Sequence, residues 1–373
     1  MFWHRPSASL HQLSGLGCWV LLGLDQGLSA DQLTQEYQTS QPDVLVGSPA
    51  LSDLITQLQT ILLSGDAATA PYREEYTAVL AAGVQSERLD EGVCFRAGML
   101  NIQLISQASA FAQSVYSLFA HELRAPISGA IDCQFEVIEN APDSYRLLCN
   151  GKVLNSTLTA AQLMPVLMDY IQIMGYQSHD YLLAVHAAVV VNKGLALILP
   201  GLSGAGKSTL CVSLVQQGYA CYYDELAVLG EPEGMAQPLP LPMAVKQGSW
   251  PLLQADWPAL VTAEIWRRPD GRELKYLPLP GTAYPDPQSP ITHQHVIFPQ
   301  YDAHCQTAEL RQLTPNELLH QLTQVGYQVK SELDQHKVER LLAFVSTTPA
   351  HAIRYANLDD AHALLKTLHP KRN

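Results

Sequence analysis

Positive charge is scarce in this chain. Of 373 residues only 22 are Lys or Arg, against 35 Asp or Glu, leaving a net charge of −13 at pH 7 with His neutral. Proteins whose main partner is DNA, RNA or an anionic membrane carry basic faces, so neither nucleic acid nor a membrane is an expected partner. No Cys-x-x-Cys spacing occurs among the seven cysteines, Cys18, Cys94, Cys133, Cys149, Cys211, Cys221 and Cys305. That argues against compact zinc and dithiol motifs and suits thiols used as small apolar side chains in a reducing cytoplasm. No apolar run reaches membrane-spanning length, because the most apolar stretch, residues 181–201, is broken by His186, Asn192 and Lys193. The short apolar run at residues 17–24 lacks a basic flank and a small-residue cleavage site, so a signal peptide is not expected. Internal repeats and low-complexity tracts are also missing.

What is present reads as a globular, cytoplasmic chain, 47% hydrophobic and 15% charged, and long enough for two or three domains. Residues 1–64 read as a small helical unit. Leu16, Trp19, Val20 and Leu24 recur at helical spacing, Ser29-Ala30-Asp31-Gln32 is a capping box, and Leu33 and Tyr37 follow one turn apart. Ser48-Pro49 then starts an apolar stripe over residues 51–62 that Gly65 ends. Residues 65–91, less patterned and charged, read as a connector. Residues 92–178 are mixed α+β. Cys133, Phe135 and Val137 alternate with polar neighbours as in a half-buried strand, and Asn150-Gly151 between two short strand patterns predicts a tight hairpin. A helix is expected over residues 160–174, with Pro165 in its first turns or kinking it. Residues 179–373 hold the motifs and close with helices at 315–325, 337–344 and 360–368 and a strand at 352–355.

The sharpest motif is Gly201-Leu202-Ser203-Gly204-Ala205-Gly206-Lys207-Ser208, a Gly-x4-Gly-Lys-Ser loop. The apolar strand 195–199 precedes it, and behind it runs a helix with Leu210, Leu214 and Val215 on one face, ended by Gly218. Strand, glycine loop and helix in that order form the setting in which backbone N–H groups cradle phosphates. The helix N-terminus adds partial positive charge. The motif therefore points to a nucleoside triphosphate. Lys207 would reach the β- and γ-phosphates, and Ser208 would offer its hydroxyl to Mg²⁺.

Sixteen residues beyond Ser208 stand Asp224 and Glu225, at the end of the apolar run 219–223. A strand returning from the loop helix would bring them beside the loop, where one acid can serve as general base and the other as metal ligand. Residues 185–191 and 195–200 read as strands joined by Asn192-Lys193-Gly194, which places His186 inside the first strand. By its period alone His186 reads as a hydrogen-bonded core histidine. Cationic clamps for a transferring phosphate could come from Lys246, Arg267, Arg268, Arg272 or Lys275, each by default a surface charge. His293-x-His295 has the spacing of a metal pair on one strand face, but nothing else in the sequence supplies partners for it.

These residues together resemble HPr kinase/phosphorylase, and more closely the HPr-kinase-related kinases of peptide-modifying systems. The likeness rests on His186-Ala187-Ala188-Val189, on the loop through Thr209, and on Asp224-Glu225. It extends to residues 242–246, 296–299, 352–355 and 359–361, and covers roughly residues 92–370. It implies an α/β P-loop kinase core of the HPr kinase/PEP carboxykinase type with a mixed sheet, binding ATP and Mg²⁺. It further implies that His186 and Asp224 stand at the phosphoryl-transfer site, that Asp224 accepts the proton of a serine hydroxyl, and that Lys246 lies near the nucleotide. The expected cofactor-binding residues are Gly201, Ser203, Gly204, Ala205, Gly206, Lys207, Ser208, Thr209 and Lys246. Asp224, His186 and Lys207 are expected to be catalytic, and Ser208 and Glu225 to be metal ligands. Two aspartates stand in the family where this chain has Asp224-Glu225, and no segment matches the one associated with phosphorylase activity. Relatives are often oligomers, so a homo-oligomer is part of the expectation.

Residues 19–29 with the helix at 51–62 also resemble PqqD-like peptide chaperones. That likeness implies a small winged-helix-like α+β domain that adds a precursor's leader peptide to its sheet edge. The combined expectation is transfer of the γ-phosphoryl group of Mg-ATP to a hydroxyl, a serine of a peptide or protein. The rival readings are a small-molecule kinase or carboxykinase-like enzyme on the same core, a nucleotide-gated peptide-binding module, and a simple ATPase.

Overall fold

The computed structural model describes residues 2–4, 9–11, 20, 24, 27–40, 55–56, 92–121, 129–201, 204–231, 234–255, 257–285, 289–325, 327–328 and 335–369. The chain forms two compact units, residues 1–73 with 331–334, and residues 74–330 with 335–373.

In the first unit, β1 (Phe2–His4) pairs antiparallel with β2 (Ser9–His11), and α1 spans Ala30–Ser40. Neither strand is expected from the sequence, because three residues are too few to show an alternating period. The capping box at the start of α1 is formed. Ser29 N donates to the Gln32 side chain at 2.8 Å, Gln32 N donates to Ser29 Oγ at 3.2 Å, and Leu33 in the first turn is buried. Leu16, Trp19, the connector 65–91, and the stripe 51–62 apart from the helical Ile55 and Thr56 lie outside the described residues.

The second unit is α/β with several mixed sheets. It opens with β3 (Val93–Ala97), β4 (Leu100–Ser106), α2 (Ser109–Leu118), β5 (Cys133–Ala141), β6 (Ser144–Cys149) and β7 (Lys152–Leu158), which form one five-stranded sheet in that strand order. Asn150 and Gly151 turn β6 into β7 with φ of 48° and 78°, the left-handed pair that a two-residue hairpin demands. Helix α3 (Ala160–Gln177) packs eight buried residues, among them Leu163, Leu167 and Ile171, into the core it shares with this sheet. Gln162 accepts from Thr159 N at its start, and Pro165 is accommodated in the second turn.

The chain continues through β8 (Tyr181–Val185), β9 (Ala187–Asn192), β10 (Leu195–Pro200), α4 (Lys207–Gln216), β11 (Ala220–Tyr223), β12 (Ala227–Gly230), β13 (Ala236–Gln237) and β14 (Met243–Lys246). It then forms α5 (Trp250–Leu253), α6 (Ala259–Thr262), β15 (Trp266–Arg267), β16 (Glu273–Leu277), β17 (His293–Tyr301), β18 (Glu309–Leu313), α7 (Pro315–Gln324), β19 (Tyr327–Gln328), α8 (Gln335–Thr347), β20 (Ala350–Tyr355) and α9 (Leu358–Lys366). The central six-stranded sheet has the order β11-β9-β10-β17-β20-β18. Strands β10, β17 and β20 run parallel, β9 is antiparallel to both β10 and β11, and β11 therefore runs with β10 one strand away. One face of this sheet packs Leu197, Leu199, Ile297 and Ile353 against Leu210, Leu214 and Val215 of α4 and Ala361 and Leu365 of α9.

The strand expected over residues 185–191 is two strands. Strand β8 pairs with β12 and β19 in one sheet, β9 pairs with β10 and β11 in another, and His186 is the bend between them. Both halves are buried on both faces, so the apolar run carries no period that marks the change of sheet. Among the described residues no helix is long and apolar enough to cross a membrane.

Candidate functional site

The parallel strands of the central sheet end together, and the glycine loop follows β10 at that end. Gly201 is buried, Leu202 and Ser203 lie outside the described residues, and Gly204 and Gly206 have φ of 90° and 87°. Gly206 is the N-cap of α4 and needs to be glycine on two grounds. Its φ lies in the left-handed region, and a Cβ there would stand 2.8 Å from Tyr355 Oη and 3.1 Å from Tyr301 Cβ. Those tyrosines end β20 and β17. Tyr301 N donates to Ala205 O at 3.2 Å, and Tyr355 Oη lies 3.5 Å from Gly206 O, to which it donates. The neighbouring strands thus hold the loop in shape. Sequence reasoning missed this pair, because parallel pairing, not sequence spacing, brings strand ends to the loop.

Lys207 opens α4 and is 5% exposed, an unusual position for an ammonium. Its Nζ donates to the main-chain oxygen of Asp224 at 2.7 Å. Ser208 and Thr209 follow in the first helical turn, half-buried, with Thr209 Oγ1 3.2 Å from Ser249 Oγ. The free N–H groups and dipole of such a helix start can meet an anion.

Asp224 is 1% exposed, and neither carboxylate oxygen has a hydrogen-bond partner among the described residues. Burial and the adjacent Glu225 push its pKa up to about 7, against the opposing pull of Lys207, the Ala244 amide and Lys246. The Ala244 amide is near enough to act on the charge without making a hydrogen bond to either oxygen. Glu225 behaves oppositely. Burial pushes it up, but Lys207, Lys246, His186 and Arg268 outweigh burial and hold it below the usual carboxylate range. Lys246 Nζ stands 3.6 Å from Glu225 Oε1, and His186 Nδ1 stands 4.0 Å from Glu225 Oε2. Burial, then Lys207, lowers the His186 pKa, so the imidazole is neutral at pH 7. Two adjacent acids, one shifted up and one down, are suited to different tasks.

A cavity of about 600 Å³ opens over the loop. Its polar lining includes His186, Lys207, Ser208 and Lys246, and its aromatic and aliphatic lining includes Tyr301, Tyr355 and Leu358. Lys207 and Lys246 reach back from this wall to Asp224 and Glu225. The described residues expected at the site, His186, Gly201 to Ser208 without 202–203, Thr209, Asp224, Glu225 and Lys246, therefore meet around one end of one sheet.

Most of the expected clamps do not join them. Arg267 pairs with Glu273 at 2.9 Å and Arg272 with Asp270 at 2.5 Å, both exposed. Lys275 is buried and structural, donating to Leu260 O at 2.7 Å with its Nζ 4.9 Å from the Trp250 ring centroid. Arg268 pairs with Asp169 at 2.7 Å and acts on Glu225 electrostatically. His295 stacks on His351 with centroids 5.4 Å apart, and burial, then His351 and His293, depress its pKa to about 4. Among the described residues no group of three or more His, Cys, Asp and Glu side chains is placed to hold a metal ion. No protein-family model matches the chain, and the search of curated proteins returns no match either.

Proposed function

We propose that the second unit is a P-loop kinase that transfers the γ-phosphoryl group of Mg-ATP to an alcohol, a serine of a peptide or protein. The observation that carries this reading is Asp224. It is a buried carboxylate with a pKa near neutrality and no hydrogen-bond partner among the described residues, tied through its main chain to the lysine of a glycine loop. A general base works best with its pKa near the working pH, and an orphaned buried carboxylate is costly unless something uses it.

In this reading the loop amides and Lys207 hold the phosphates. A triphosphate offers Lys207 charged acceptors stronger than a peptide carbonyl, so binding draws the ammonium from Asp224 toward the loop. Mg²⁺ favours oxygen donors and few protein ligands, and Ser208 Oγ and the Glu225 carboxylate are the residues that would hold it here. When bound, it would neutralise charge on the phosphates. Asp224 receives the hydroxyl proton of the acceptor, and neutral His186 stands beside Glu225 at the same site. Lys246 adds positive charge at the same end of the cavity. Such catalysis rests on positioning and charge neutralisation.

The residues that resemble the HPr-kinase-related kinases support the same reading, and the resemblance of residues 19–29 to PqqD-like chaperones extends it to a leader peptide held by the first unit. The test is labelling of a proteome digest by γ-labelled ATP with the full chain. A phosphoserine peptide that vanishes with Asp224→Asn supports the proposal. Phosphate release without any labelled acceptor makes the protein an ATPase and defeats it.

A further inference from the structure

The wall of the cavity over the loop is chemically mixed. Lys207 and Lys246 give it positive charge, and Tyr301, Leu358 and Leu252 give it aromatic and aliphatic surface. Tyr301 is 49% exposed and Leu252 58% exposed, a large apolar outlay beside a polar loop. The Tyr301 ring is also fixed in place. Its main-chain N–H is bonded to Ala205 O of the loop, and its ring packs edge-on to Tyr355, with centroids 6.1 Å apart and planes at 68°. Tyr355 is in turn tied to Gly206 O. An exposed aromatic ring thereby stands beside the glycine loop. A nucleotide offers a partner for each, a charged triphosphate for the cations and a flat π-face for the ring. The volume of about 600 Å³ lies inside the range of small-molecule sites.

Resting on the nucleotide reading above, we propose that Tyr301 is the base-stacking residue of this site, so that the nucleotide lies with its base on the Tyr301 ring and its terminal phosphate toward Lys246 and His186. Stacking is tolerant of base identity because every base presents a π-face, so Tyr301 sets affinity for a nucleoside over a bare polyphosphate without choosing among purines.

The experiment is calorimetric titration of the full chain with ATP and, separately, with inorganic tripolyphosphate, at equal Mg²⁺. The wild type is expected to bind ATP more tightly than tripolyphosphate. Tyr301→Ala is expected to lose about tenfold in ATP affinity while keeping its affinity for tripolyphosphate. Retained tripolyphosphate binding also shows that the loop is folded, since the main-chain bond to Ala205 survives the substitution. Tyr301→Phe, which keeps the ring, should remain within about twofold of the wild type. Unchanged ATP affinity in Tyr301→Ala overturns the base contact and leaves the kinase reading standing. An equal loss for both ligands overturns it as well, by placing the effect in the loop. A wild-type protein that takes neither ligand overturns the nucleotide reading, and this subsite falls with it.

Discussion

Lys207 and Asp224 meet through a single hydrogen bond, from the lysine Nζ to the aspartate main-chain oxygen at 2.7 Å. They come from the start of α4 and the end of β11, so the contact ties the glycine loop to the acid across the edge of the central sheet. Lys207→Met keeps the buried alkyl stem and removes the ammonium. A charge-assisted hydrogen bond is worth ~1.5–3 kcal/mol, so triphosphate affinity should fall by about tenfold to 100-fold. Calorimetric titration reads the loss. Undiminished binding would show that the loop does not hold phosphates.

Asp224→Asn separates chemistry from binding. Loss of a general base lowers a rate by about 10²–10⁴-fold, so phosphoryl transfer should collapse while nucleotide affinity stays near that of the wild type. The wild-type rate should rise with pH through about 7, as Asp224 gives up its proton. Stability moves the other way. The folded pKa of Asp224 is raised from 3.8 to about 7, so between those values the folded state binds more protons than the unfolded state, and stability falls as pH rises. Asparagine is neutral at every pH and escapes that loss. Asp224→Asn should therefore raise the Tm of the second unit by several degrees at pH 8 and change it little near pH 4. Scanning calorimetry at both pH values decides it, and a variant less stable than the wild type at pH 8 would contradict the burial argument.

The legible parts of this site are those carried by contiguous residues. The glycine loop, the Asn150-Gly151 turn and the acids after β11 each announce themselves through local spacing, and each is found where expected. What spacing does not carry is pairing between distant strands. The bend at His186 exists because β8 and β9 join different sheets, and an apolar run buried on both sides reads the same in one sheet or two. Tyr301 and Tyr355 reach the loop because β17 and β20 lie parallel to β10, a relation between segments about 100 residues or more apart. Lys275 shows the opposite failure. A lysine reads as a surface charge, yet this one is buried, satisfied by the Leu260 carbonyl with its ammonium over the Trp250 ring.

Lys246 is a cation whose effect should depend on salt. Its side chain is 41% exposed and stands 3.6 Å from Glu225 Oε1, close enough to help hold the Glu225 pKa down, yet open to screening. Lys246→Gln should raise KM for ATP a few-fold at low salt, and the gap from the wild type should narrow at high salt. The Glu225 pKa should rise, because one of the charges opposing its burial is gone. Carboxylate titration by NMR on the variant checks the second effect, and KM at two salt concentrations checks the first. A KM gap independent of salt would place Lys246 outside the field of the phosphates.

The two left-handed glycines of the loop should differ in what they tolerate. Gly204 and Gly206 have nearly equal φ, 90° and 87°, so an alanine at either position meets a similar backbone strain of ~1–3 kcal/mol. They differ in their surroundings. A Cβ at Gly204 meets nothing within 4 Å, whereas at Gly206 it meets Tyr355 Oη at 2.8 Å and Tyr301 Cβ at 3.1 Å. Relief at Gly206 requires moving the tyrosines that tie the loop to β17 and β20, and neither is free to swing, since Tyr355 is buried and the Tyr301 main chain is bonded to Ala205. Gly204→Ala should therefore keep a measurable affinity for tripolyphosphate with a small fall in Tm. Gly206→Ala should abolish that binding and lower Tm further. Equal Tm and equal affinity in the two variants would mean that backbone strain alone governs the loop and that the tyrosines do not brace it.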